Sequence, residues 1–177
     1  MKQIYLYTLT VFILILTGCT KKTDSYYMNE AAKAISDNKI TEAISAYDKI
    51  VNDYPASPKA PFALFQTASF YQNKQVKEEN LTDAQSFEKA VERFKSVYDK
   101  FPNDKLAPKA LFMCGFIQAN DLKQYPQAKE TFNLFLQKYP NDEVAPSVKE
   151  ELNNMGLSPE EIIQRKENSK NDVSTKQ

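Results

Sequence analysis

Apolar residues return at helical spacing through most of the chain, and prolines interrupt them at regular intervals. Between residues 41 and 53 they stand at 43, 44, 47, 50 and 51, which is one stripe on a helix. Pro55 ends that helix, because it has no amide hydrogen and disfavours helix in the residue before it. The next helix opens at Pro61, where a fixed φ suits the first turn and the missing donor costs nothing. Residues 61–71 and 108–117 read as two copies of it. Leu64 matches Leu111, Phe65 matches Phe112, and Ala68 matches Gly115, a small residue where paired helices would touch.

The copies extend along a ladder. Ala43–Tyr47–Pro55, Ala90–Phe94–Pro102 and Ala128–Phe132–Pro140 share one spacing, and each proline follows an aromatic, Tyr54, Phe101 or Tyr139. Each is followed in turn by an Ala-Pro pair: Ala60-Pro61, Ala107-Pro108 and Ala145-Pro146. A register held this way marks a repeated supersecondary unit, and it resembles the second half of a tetratricopeptide repeat. The resemblance covers roughly residues 24–155. The family's early tryptophan is missing, since the chain has no Trp, and Tyr27 takes that place in the first unit. The second unit carries Ala68 and Tyr71 at the small and later aromatic positions; the third carries Gly115 and Gln118.

The resemblance implies an all-α fold: a right-handed superhelical solenoid of about three tetratricopeptide-like helical hairpins plus a C-terminal capping helix. A generic bundle of hairpins is the alternative, and the long-range register favours the solenoid. In the tetratricopeptide family the first helices line a concave groove that holds other proteins. The positions carried across are Phe62, Phe65, Ser69, Gln72 and Asn73 in the second unit. In the third they are Lys109, Phe112, Phe116, Ala119 and Asn120. A second reading stays open here, that Phe65 and Phe112 pack against neighbouring repeats.

The units differ in length: 47 residues separate Pro55 from Pro102, and 38 separate Pro102 from Pro140. The surplus is a polar stretch between Gln72 and Ser86, either a longer loop or two extended helices, with Thr82 or Asp83 as the cap of the returning helix.

Residues 1–18 read as a leader. A minimal positive start, Met1-Lys2-Gln3, precedes a largely apolar run from Ile4 to Leu16, too short to span a bilayer as a helix. It ends in Leu16-Thr17-Gly18-Cys19, which resembles the lipobox of bacterial lipoproteins. That resemblance implies diacylglycerol on the Cys19 thiol, cleavage before it and an acylated new N-terminus. The expected organisation is signal peptide 1–18, lipidated linker 19–23, repeat domain 24–165 and disordered tail 166–177. Within the last stretch of the domain, Gly156 closes one helix, and Ser158-Pro159-Glu160-Glu161 is a capping box opening another.

Composition narrows the chemistry. The 23 basic and 23 acidic residues balance, and no basic stripe exceeds Lys21-Lys22, so nucleic acid is not expected as a partner. There is no histidine for a triad, a general base or a common zinc site. Of the three glycines only Gly115 and Gly156 follow the leader, so no glycine-rich loop cradles a phosphate. Adjacent carboxylates at Glu78-Glu79, Glu150-Glu151 and Glu160-Glu161 point in different directions on a helix and read as solvated faces. With Cys19 taken by lipid, Cys114 has no disulfide partner and reads as a small hydrophobe.

An enzyme is therefore not expected, nor a cofactor, metal or small-molecule substrate. Lipobox, short repeat array and aromatic-Pro turns together resemble the BamD-like lipoproteins of outer-membrane protein assembly and the Tol-Pal-associated CpoB-like proteins. The resemblance implies a lipid-anchored envelope scaffold for protein partners, most simply at the outer membrane because Thr20 stands after the cysteine. The alternative is a structural subunit or spacer with no peptide groove.

Overall fold

The structure, a computed structural model, describes residues 22–174. The leader 1–18, Cys19, Thr20 and Lys21 lie outside the described residues, as do 175–177.

Eight helices and no strand make up the described residues: α1 Asp24–Ser36, α2 Ile40–Asp53, α3 Ala60–Gln72, α4 Asp83–Lys100, α5 Ala107–Asn120, α6 Tyr125–Lys138, α7 Ala145–Asn154 and α8 Pro159–Ser174. From α1 to α7, each helix packs on the one before it, so three antiparallel hairpins stack into a solenoid with α7 against the last.

Position in the stack explains the residue patterns. The second helices α2, α4 and α6 are amphipathic and bury one stripe: Ala43, Tyr47 and Ile50, then Ala90, Phe94 and Val97, then Ala128, Phe132 and Phe135. The inner first helices α3 and α5 are apolar around much of their circumference, because each lies between its own partner and the preceding hairpin. In α5 the faces separate. Ala110, Cys114 and Ile117 join the core shared with α4, while Leu111 and Ala119 join the core built on α6.

At the repeated small position, a β-carbon built on Gly115 would lie 2.6 Å from Cε1 of the Phe132 ring, so only glycine lets that ring settle against the helix. Gln118, in the place of Tyr71, is buried and accepts a 2.7 Å hydrogen bond from the Thr131 hydroxyl of α6. A buried polar side chain keeps its partner, as it must in a low-dielectric interior.

The insert after Gln72 is a loop, 73–82, and α4 begins at Asp83 with Thr82 and Gln85 forming a reciprocal capping box. It is not a free spacer. Val76 is buried in the core, the Ser86 hydroxyl donates to the Tyr71 carbonyl at 2.6 Å, and Lys89 pairs with Glu78 at 2.7 Å. The turns that close α1, α3 and α7 each use one left-handed residue, Asn38 (φ 57°), Lys74 (φ 54°) and Gly156 (φ 81°), where only the last is glycine.

The aromatics before the helix-ending prolines have a structural use that the ladder did not disclose. The Tyr139 hydroxyl donates to the Pro102 carbonyl at 2.8 Å, and the Tyr54 hydroxyl donates to the carbonyl of Lys22. Arg93 of α4 reaches Asp48 of α2 with both terminal nitrogens, linking the second helices of neighbouring units. At the far end, Ser158 and Glu161 exchange cap hydrogen bonds as their motif predicts. The helix they open runs on to Ser174, past residue 166, where the polar sequence predicts a disordered tail.

Candidate functional site

The face assigned to the first helices is built on α3 and α5. On α3, Phe62 is 38% exposed and meets Tyr47 edge-on at 6.3 Å. One turn on, Phe65 is half-buried: its ring stands T-shaped on the buried Phe94 at 5.0 Å, and the Lys109 ammonium of α5 lies 5.6 Å from its centroid. That contact joins the second and third units across the face, with the cation on the ring's electron-rich side. The Ser69 hydroxyl donates back to the Phe65 carbonyl at 3.0 Å, so its donor is spent within the helix. Gln72 is partly exposed and Asn73 exposed, at the C-terminal end of the same stripe.

On α5, Phe112 and Phe116 are both half-buried, with ring centroids 5.9 Å apart, and Phe112 also packs 6.2 Å from Phe132. Phe65 and Phe112 therefore serve two environments, each with one side on the core and the other at the surface. Ala119 is buried and contributes no surface. Asn120 is exposed, and its amide donates to the Phe116 carbonyl at 3.2 Å and to Glu151 of α7 at 3.3 Å. Glu151 extends the face onto a third helix, which sequence reasoning treated only as a cap. Its signal was there, in the recurrence of the Ala-Pro helix start at Ala145-Pro146. The stripe ends at a cleft of 390 Å³ whose lining includes Asn120, Lys123, Tyr125, Glu150, Glu151 and Asn154, polar groups of both signs.

Some carboxylates elsewhere have local partners. Hydrogen bonding to Lys89 holds Glu78 below the usual carboxylate range, and Lys166 does the same for Glu150. A larger cleft of 520 Å³ on the insert is lined mainly by Glu78, Glu79, Glu88 and Glu92 with Lys89, which donates to Glu78. Burial pushes the Cys114 thiol up to about 11, so it stays protonated and unreactive as a nucleophile. Among the described residues no group of three or more acidic or cysteine side chains is placed to hold a metal, and no helix is long and apolar enough to cross a membrane.

The tetratricopeptide repeat family matches residues 23–57 and 109–142. Two segments of the chain thus match the tetratricopeptide repeat pattern. The first match spans α1, α2 and the turn after them; the second spans α5, α6 and the following turn. The hairpin between them, α3–α4, holds the ten-residue loop 73–82 that breaks the usual repeat length. No curated protein matches the chain. A stack of tetratricopeptide-like hairpins supports a part as a protein–protein interaction scaffold.

Proposed function

We propose that this chain is a lipid-anchored scaffold of the bacterial cell envelope that holds another protein along the face of α3 and α5. The observation that carries the reading is the row Phe62, Phe65, Phe112 and Phe116, which keeps aromatic surface open on a repeat solenoid and is flanked by Lys109 and Asn120. Aromatic anchors set among a few polar groups suit an extended or helical segment that inserts apolar side chains. Lipid on Cys19 supplies the compartment. One acyl chain binds a bilayer only marginally, and a bacterial lipoprotein carries several. The lipobox-like run beside a short repeat array supports a BamD-like part in outer-membrane protein assembly.

The test uses photo-crosslinking from the face in intact envelopes. Phe62→Glu and Phe116→Glu should each remove the crosslinked partner. Phe62 is the cleaner site, since its ring is the most exposed of the four and its loss should barely move the melting temperature. A folded Phe62→Glu protein that still captures the same partner would sink the groove assignment. Blocking lipoprotein signal peptidase should leave a precursor longer by residues 1–18, and its absence would sink the anchor.

One observation favours a second reading, a structural subunit held by its edge. The insert is latched by Val76, Ser86 and the Glu78–Lys89 pair into a fixed shape that a single neighbour could recognise. Crosslinks from Glu79 to one constant neighbour, with none from Phe62, would select it.

A further inference from the structure

The solenoid has two long edges, and the chain's own hydrogen bonds decide which one lies near Cys19. The turns between units, starting with 54–59, form one edge; the turns within units, with the insert, form the other. Asn38, Lys39 and Glu42 line one cleft with Gln75 and Lys77, so the first within-unit turn and the insert are neighbours. The 14-residue α2 runs from that edge to the opposite one, a separation of about 21 Å at 1.5 Å per residue.

The first described residue is fixed to the inter-unit edge. The Lys22 carbonyl accepts from the Tyr54 hydroxyl. Two residues on, Asp24 accepts from the Ser57 hydroxyl at 2.6 Å and pairs with Lys59 at 3.0 Å, and Lys59 also donates to the Ser25 hydroxyl at 2.7 Å. Lys22 is three residues after Cys19, a reach of at most about 10 Å even fully extended. A lipid on Cys19 is thus too close to this edge for the domain to turn over freely beneath it.

We propose that the inter-unit edge, beginning with Tyr54–Lys59, rests against lipid headgroups and directs the insert away from the bilayer. This rests on the anchor reading given above. The side chains here fit such a surface. Tyr26 is 37% exposed with the Lys22 ammonium 4.6 Å above its ring, and Tyr54 lies 6.3 Å from the neighbouring Tyr27. Tyrosine and lysine are favoured where apolar and aqueous layers meet. Asp24 is neutralised by Lys59, while Asp53 is exposed, so the edge offers little net attraction and the acyl chains supply the affinity.

The full chain, processed in a bacterial host and reconstituted in phosphatidylethanolamine–phosphatidylglycerol vesicles, provides the test. A fluorescent probe is placed on Ala56→Cys or Glu79→Cys, and a headgroup spin-labelled lipid serves as quencher. Quenching should be severalfold stronger at 56 than at 79, and adding Tyr54→Phe, which frees Lys22 but leaves Asp24 on Ser57 and Lys59, should lower the ratio while keeping it above one. Equal or stronger quenching at 79 overturns the orientation. Mass spectrometry of the N-terminal peptide separates the two failures. Lipid present with the wrong ratio sinks the orientation alone, whereas lipid absent sinks the anchor and the orientation with it.

Discussion

Replacing Gly115 by alanine should destabilise the domain, although the same change in most helices is stabilising. Helix propensity alone favours alanine by about 1 kcal/mol. Against this, the new methyl would sit 2.6, 2.7 and 3.1 Å from three carbons of the Phe132 ring. That ring is fully buried and belongs to a close-packed core, so it cannot swing aside as the end of a flexible side chain would. Overpacking of this kind costs about 1–3 kcal/mol, and a rigid ring places the cost in the upper part of that range. The net loss should be about 1–2 kcal/mol, or a melting temperature lower by about 3–6 °C for a domain of this size. In the second unit, where Ala68 holds the equivalent place, Phe94 stands 5.0 Å from Phe65, closer than the 6.2 Å between Phe132 and Phe112. The ring in the third unit lies farther from its partner phenylalanine and against the glycine. Thermal and urea unfolding followed by circular dichroism would measure the loss, and a double-mutant cycle with Phe132→Leu would locate it. If Gly115→Ala melts at or above the parent temperature, or costs as much in the Phe132→Leu background as with the ring intact, the packing argument is wrong.

Asp48→Ala should cost roughly 1–2 kcal/mol in urea unfolding, because it leaves a partly buried guanidinium without its two-point partner; no change would make the Arg93 link incidental. Cys114, neutral well above physiological pH through burial, should react with a thiol reagent at pH 8 only as fast as the domain unfolds. Fast labelling under native conditions would show that α5 opens locally. Asp24 is held at about 2, first by the Ser57 hydroxyl and then by Lys59. Its folded value lies below the ordinary one of about 3.9, so its contribution is full above about pH 4 and is lost as pH falls through about 2. Ser57→Ala should raise the Asp24 titration midpoint seen by carboxyl NMR, and an unmoved midpoint would remove Ser57 from the latch.

Much of the architecture was legible because it depends on local rules. Prolines stop and start helices, Thr82 and Ser158 cap them, Gly156 closes one, and the alanine–aromatic pairs mark the buried stripe. The candidate face was legible only as a stripe of positions. How Phe65 and Phe112 divide between core and surface depends on Phe94 and Phe132, which arrive from another helix of the same hairpin. Lys109 reached Phe65 only when the third unit stacked on the second. The insert could be read as loop or helix because its composition suits both, and the burial of Val76 with the Ser86–Tyr71 bond selects the loop. Gln118 looked like a lapse from the repeat pattern until Thr131 appeared opposite it.

By itself the sequence determined the helices, their order and the repeat, since period, proline placement and capping act within a few residues along the chain. Only the tertiary structure decided which aromatics keep a free face, which small residue must be glycine and which edge receives the start of the domain. Those outcomes depend on contacts between helices brought together by stacking, among them Phe132 on Gly115 and Tyr54 on Lys22. No spacing along the sequence encodes the distance between a ring and a backbone from another helix.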